Sequence, residues 1–237
     1  MLTIGVDLAQ ARDRTAIVAL SSERLEASDE ESLASQDLRS VANGGRWRPP
    51  RRQLHHYVVH LTALPPGTSY PDQAERIART ARILAEEWGR PAIFADATGV
   101  GRPVVDLLRE ASEFPITAVT ITGGGESTTK GRAISVAKAD LVSSLEVALS
   151  SRRLHATTDL ALAKDLDKEL RAFSYDLSAA GRPLYKGRGA HDDLVLALCL
   201  ALYGAEKGSR GTAGFVEFMR RDIAAREAAA GVPMFRS

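Results

Sequence analysis

The sequence predicts an α/β fold in which a mixed β-sheet is flanked by α-helices. Three observations carry that expectation: short β-branched runs come first, strand and helix patterns alternate after them, and a late segment is apolar on every side. Composition permits such a fold. Of the 237 residues 44% are hydrophobic and 26% charged, the balance of a globular chain able to bury a core.

LTIGVDLAQARDRTAIVAL reads as two strands, Leu2 to Leu8 and Thr15 to Leu20, joined as a hairpin by a polar connection that contains Asp13. A polar insertion is expected from about 21 to 55. Its first half, 21–40, holds Glu23, Glu26, Asp29, Glu30, Glu31 and Asp37 against Arg24 and Arg39. Its second half holds Arg46, Arg48, Arg51 and Arg52 and no acid, so two solvated halves of opposite charge are expected to pair, with a DNA-binding arm as the rival reading. His56 to Leu64 is a third strand, stopped by Pro65-Pro66-Gly67. SYPDQAERIARTARILAEEWG reads as a helix, because Pro71 suits a first turn, Asp72 and Glu75 suit the positive end of the helix dipole, and Gly89 stops it. Ala74, Ile77, Ala81, Leu84, Ala85 and Trp88 then form a stripe expected to face the core.

Ala92 to Ala95 is a short strand that runs into Asp96-Ala-Thr-Gly-Val-Gly-Arg-Pro and a helix through Val104, Leu107 and Leu108. Ile116 to Ile121 is the next strand, closed by Gly123-Gly124-Gly125. A helix is expected from about Ser135 to Ser150, then a strand-like RRLHA, a helix from Leu160 to Phe173 and an irregular polar stretch. Leu194 to Ala205 reads as a buried helix, and the residues beyond Glu206 as a basic-tinged tail.

Several function classes are excluded early. Thirty-one basic and thirty acidic residues leave a net charge of +1, so a nucleic-acid partner has to be argued from local clustering. The single cysteine, Cys199, rules out a disulfide framework and a cysteine-clustered zinc site, and it fits a reducing compartment. The longest apolar run, Leu194 to Tyr203, is ten residues where a membrane helix needs about 20. MLTIGVDLAQ has neither a basic start nor a long apolar stretch, so no signal peptide is expected.

Carboxylates stand where a core does not ordinarily want them. Asp7 lies in the first strand, between Ile4 and Val6 on one side and Leu8 on the other, where a charge needs a partner or a cation. Asp96 ends the IFA strand, at the edge where α/β sheets build their sites. Asp192 and Asp193 precede a wholly apolar helix, with His191 before them. Structural alternatives exist for each: a turn could hydrogen-bond Asp7, Asp96 could open the turn into Gly99, and Asp192 could cap its helix. Together they are less ordinary, because a helix needs one cap and here two aspartates stand. Carboxylate oxygens are what Mg²⁺ and Mn²⁺ select, and two such ions can activate a water and stabilise an in-line phosphoryl displacement. Asp13 is a secondary candidate or a turn residue.

GVDLAQARDRTAIV, FADATGVGRPVVDLL and GAHDDLVLALCLALYG resemble, in that order, the three motifs of the nuclease domain of large terminase subunits. Those are the DNA-packaging motors of tailed bacteriophages, and their nuclease belongs to the RNase H-like, RuvC-type superfamily. SYPDQAERIARTARIL, SVAKADLVSSLEVAL with Lys138, and DLDKELRAF are similar to the family between the motifs, so the resemblance covers most of residues 1–205. It implies an RNase H-like nuclease domain over 1–205 and a tail over 206–237. It further implies a two-metal-ion endonuclease that cuts double-stranded DNA with little sequence specificity, in a bacterial host's cytoplasm and without a membrane. Asp7 would bridge two Mg²⁺ or Mn²⁺ ions, Asp96 would be the second ligand, and Asp192 or Asp193 the third with the other assisting. His191 would be a ligand, an orienting group or a plain helix-start residue. A packaging ATPase, a small terminase subunit or a portal would be partners. The family's ATPase has a GxxxxGK[ST] loop, which Gly123 to Gly131 does not match; an excised domain or a free-standing relative is therefore expected.

Cations for a phosphate backbone should cluster near the acids. Lys130, Arg132 and Lys138 follow the glycine-rich loop, Arg152 and Arg153 come later, and Arg182, Lys186 and Arg188 precede His191. Aromatic residues, at 5%, are too few for a single-strand stacking platform. The rival readings are a Holliday-junction resolvase-like nuclease, a catalytically silent RNase H-like module that docks DNA or a partner, and a sugar-kinase-type ATPase.

Overall fold

The computed structural model describes residues 1–9, 13–26, 52–99, 101–124, 127–177, 183–187 and 192–207, with side chains except at 52, 101, 102, 174–177 and 183–187. The chain divides into a unit Met1–Ala205 and a unit Glu206–Ser237, of which only 206 and 207 are described. The first unit contains β1 (Leu2–Asp7), β2 (Thr15–Glu26), β3 (Arg52–Leu64), α1 (Tyr70–Trp88), β4 (Pro91–Asp96), α2 (Gly101–Ala111) and β5 (Ile116–Thr122). It continues with β6 (Thr128–Lys130), β7 (Ala133–Ala137), α3 (Lys138–Ser150), β8 (Leu154–His155), α4 (Ala163–Ala172), β9 (Phe173–Leu177) and β10 (Pro183–Gly187). A last helix, α5, covers 193–207.

One mixed sheet of eight strands, in the order β6-β7-β5-β4-β1-β2-β3-β8, organises the unit, and β9 and β10 form a separate hairpin. β1, β2 and β3 are antiparallel neighbours, while β1, β4, β5 and β7 run parallel. Alternation along the strands sends side chains to opposite faces. Leu2, Ile4 and Val6 of β1, with Ile93 and Ala95 of β4, meet Ala74, Ile77, Ala81 and Leu84 of α1 and Val104, Val105 and Leu108 of α2. The other face, with Ala16, Val18, Val119 and Val136, is covered by Leu141 and Leu145 of α3, Leu166 of α4 and nearly all of α5.

Gly5 fixes how α5 lies on that second face. A Cβ at Gly5 would stand 1.9 Å from the Ala197 carbonyl oxygen and 2.6 Å from the Ala201 nitrogen, so only glycine lets the helix backbone rest on β1. Its register partner Phe94 packs against α5 as well, since a Cβ at Gly204 would meet the Phe94 ring at 2.4 Å.

Several boundaries differ from the sequence reading. β2 and β3 reach Glu26 and Arg52, because Ser21 to Glu26 pairs with Arg52 to Tyr57 across the ladder, where Ser22 Oγ meets His56 Nδ1. Four further strands stand where none was read: β6, β7, β9 and β10. Ser135 to Ala137 belongs to β7 and the helix begins at Lys138, since these residues pair with Thr120 to Thr122. Trp88 is exposed at the end of α1 rather than part of the core. α1 stops at Gly89 (φ +79°) as expected, and at its start the Asp72 N–H donates to Ser69 Oγ at 3.3 Å, a cap the sequence reading did not name. Among the described residues no helix is long and apolar enough to cross a membrane.

Candidate active site

The period of two that builds the core also assembles the acids. Asp7 follows Gly5 by two residues and Asp96 follows Phe94 by two, so both carboxylates point to the α5 face. They stand one step beyond the Val6–Ala95 pair, at the ends of adjacent parallel strands, and such neighbours run about 4.8 Å apart. Because Gly5 touches α5 at Ala197 and Ala201, the helix start at Asp192 and Asp193 falls beside the Asp7 end of β1. The carboxylates feel each other. Burial first, then the negative charges of Asp96, Asp193 and Asp192, push the Asp7 carboxyl well above its ordinary value, and only Lys138 opposes them.

Asp96 is buried, and burial raises its pKa too. Thr98 works the other way: its N–H donates to Asp96 Oδ1 at 2.7 Å, while Thr98 Oγ1 accepts the Ile121 N–H at 2.7 Å. The loop after β4 is thereby fixed to β5. The other acids are held by cations. Lys138 Nζ lies 3.5 Å from Asp192 Oδ2, and Arg14 Nε donates to Asp193 Oδ2 at 3.2 Å. Arg14 Nη2 also donates to Glu169 Oε1 at 2.5 Å. The second oxygen of Glu169 accepts the backbone N–H groups of Leu194 at 2.9 Å and Val195 at 3.3 Å. Burial raises Glu169, and these amides and Arg14 pull it back.

The sequence candidates are sorted by this geometry. Asp7, Asp96, Asp192, Asp193 and Lys138 come together, and Lys138 is a partner of the acids rather than an outlying cation. Asp13 is exposed in the β1–β2 connection. Lys130 and Arg132 are exposed around Gly131 in the β6–β7 turn. Arg153 is tied to the β3 edge, donating to the Leu54 carbonyl at 3.0 Å. Arg182, Arg188 and His191 lie outside the described residues, as does the side chain of Lys186. Cys199 is fully buried and its thiol is pushed up to about 12, so it offers no nucleophile.

Two residues of the site escaped the sequence reading as functional groups, Arg14 and Glu169. Glu169 left a signal: with Leu166, Leu170 and Phe173 it falls on the inward stripe of α4, where a lone carboxylate is out of place. Arg14 left none. The suggestion that Asp192 caps its own helix is overturned, because Glu169 occupies the amides a cap would take.

All four aspartates offer oxygen donors, the set that hard divalent cations prefer. The mutual repulsion at Asp7 is what such a cation relieves, so the residues fit Mg²⁺ or Mn²⁺. Among the described residues no three ligating side chains are drawn together into a ready cage; two of the four carboxylates face Lys138 and Arg14 instead.

The site thus sits on an eight-stranded mixed sheet with acids at the ends of its first and fourth strands, crossed by a late helix that brings two more. No protein-family model and no curated protein matches the sequence. Solved structures do. The large terminase nuclease from thermophilic phage G20c with bound magnesium superimposes with a TM-score of 0.54 at 20% identity, over 86% of this chain and 80% of that one. The same nuclease with bound cobalt gives the same TM-score, identity and coverage. The large terminase nuclease domain of Thermus phage P74-26 gives 0.50 at 19% identity, over 85% of this chain and 77% of that one. At these identities the likeness establishes the fold, which is that of a large-terminase nuclease domain.

Proposed function

We propose that residues 1–205 form a metal-dependent endonuclease domain that hydrolyses double-stranded DNA with little sequence specificity, in the manner of the nuclease used in phage DNA packaging. The observation that carries this reading is the convergence of Asp7, Asp96, Asp192 and Asp193 at the C-terminal ends of β1 and β4. The terminase-like fold supports it, as does the presence of magnesium or cobalt in neighbours of that fold.

Asp7 and Asp96, on rigid strands, would hold two Mg²⁺ or Mn²⁺ ions together with Asp192 and Asp193. Bound ions would activate a water and stabilise the charge that develops on the scissile phosphate. Thr98 sets the direction of the Asp96 carboxylate. Lys138 balances the acids and stands where a phosphate would arrive. Lys130 and Arg132, exposed on the β6–β7 turn, supply sequence-independent contacts to the DNA backbone. The compartment proposed is a bacterial host's cytoplasm, with a packaging ATPase, small terminase subunit or portal as partner.

Supercoiled plasmid incubated with the protein in EDTA, Mg²⁺ or Mn²⁺ tests the reading. Cutting is expected with either metal and not in EDTA, and Asp7→Asn should abolish it while leaving the fold intact. Undiminished cutting by Asp7→Asn refutes the assignment. Cutting confined to four-way junctions would make the protein a resolvase, and no cutting in any metal would favour a silent docking module.

A further inference from the structure

Asp192 stands at the N-cap position of α5, one residue before the helix begins at 193. An aspartate there ordinarily accepts the backbone N–H of the second or third helical residue, here Leu194 or Val195. Both amides are already taken, by Glu169 Oε2 from α4. The Asp192 carboxylate is turned instead to Lys138. Glu169 is buried in this position and anchored at its other oxygen by Arg14, which also holds Asp193. Arg14 is itself placed by its neighbour Thr15. The Thr15 hydroxyl donates to buried Gln73 of α1 at 2.7 Å and accepts the Ala9 N–H at 3.0 Å.

We propose that Glu169 is a substitute cap for α5, a positioning residue that keeps the Asp192 carboxylate out of its own helix end and so available to the metal site, while Arg14 clamps Asp193 beside it. The metal half of this inference rests on the nuclease reading; the capping half does not. A helix that must present its N-cap aspartate to a ligand leaves its first amides unsatisfied, and an acid from a neighbouring helix removes that conflict. Without Glu169, Asp192 would turn inward to take the amides. The fold would survive and the site would lose a ligand.

A cycle of thermal melts in EDTA tests the exchange of caps. Asp192→Ala in the otherwise unchanged protein should leave Tm within a degree or so, because Asp192 caps nothing there. In the Glu169→Ala background the same substitution should lower Tm by a further ~2–4 °C, the loss of a cap in a domain of this size. Equal losses in both backgrounds would overturn the proposal. So would a Glu169→Ala protein that does not fold, since Asp192 is placed to take over. Glu169→Gln, which retains one acceptor but loses the charged hold of Arg14, is the second variant and should fall between Glu169→Ala and the parent.

Mn²⁺ binding measured by calorimetry without DNA then reads the consequence. Glu169→Ala should weaken it about 10–100-fold, with partial recovery in Glu169→Gln. Unchanged Mn²⁺ affinity in Glu169→Ala overturns the positioning role. If the parent protein neither binds Mn²⁺ nor cuts DNA, the nuclease reading fails, and the melts still decide the cap.

Discussion

Two groups of polar side chains packed into this domain are built on opposite principles. At the β3–β8 edge, Ser22 Oγ and His56 Nδ1 lie 2.8 Å apart, His55 Nδ1 and His155 Nε2 lie 3.0 Å apart, and Tyr57 stacks on His155 at 4.7 Å. The two hydrogen bonds join groups that can be donor and acceptor to one another, so opposite roles meet inside the cluster. At the ends of β1 and β4, acids face acids, and burial makes their repulsion worse. A buried cluster whose members pair with one another needs nothing more than folding to explain it. One that remains in conflict points to a partner from outside, which in the function proposed above is a divalent cation.

The contrast breaks most completely if α5 cannot reach the sheet. Gly5→Val would drive a side chain into the Ala197 and Ala201 backbone, which no rotamer relieves. The expected cost exceeds about 4 kcal/mol, the range of severe core lesions, and leaves a chain without cooperative urea unfolding. A folded Gly5→Val that still bound Mn²⁺ would show that the acids do not depend on this contact.

A smaller loss tests the other cluster. Ser22→Ala takes away the hydroxyl beside the fully buried His56, and about 1–3 kcal/mol of stability is expected to go with it. Plasmid cleavage and Mn²⁺ affinity should not change. If they fell together with Tm, the two clusters would be one coupled unit and the distinction between them would be wrong.

The sequence made the sheet, its flanking helices and the four aspartates legible because each rests on a local pattern. Alternating apolar residues mark β1 and β4, and the unbroken apolar run from Leu194 marks α5. Order along the chain, matched to the terminase motifs, supplied what no single aspartate could. The extension of β2 to Glu26 was hidden because Ser22, Glu23 and Arg24 become strand only through their pairing with His56, His55 and Leu54. Arg14 and Glu169 were hidden for a related reason. They are 155 residues apart in sequence, and their meaning lies in a contact that exists only after α4 and α5 have packed. Lys138 was read as a DNA contact, since a sequence shows a charge but not the carboxylate it faces.

The smallest expected effect sharpens the comparison further, because it has the opposite sign. Asp7 has a folded pKa raised above its unfolded value, so the folded state binds the proton more tightly than the unfolded chain does. Its contribution to stability is present in full below the unfolded value of 3.8 and is lost as pH rises through the raised folded value. As pH rises above 3.8 the Asp7 carboxyl therefore works increasingly against the fold. Asp7→Asn, which keeps the shape and removes the charge, should raise Tm in EDTA at pH 7 by ~2–4 °C, about 1 kcal/mol in a domain of this size. The gain should shrink toward nothing as the pH approaches 3.8, where the native carboxyl is already neutral. On the function proposed above, Mn²⁺ should reverse the ranking by stabilising the parent protein and not the variant. An Asp7→Asn protein less stable than the parent in EDTA would mean that the acids, like the histidines, are paired for the sake of the fold.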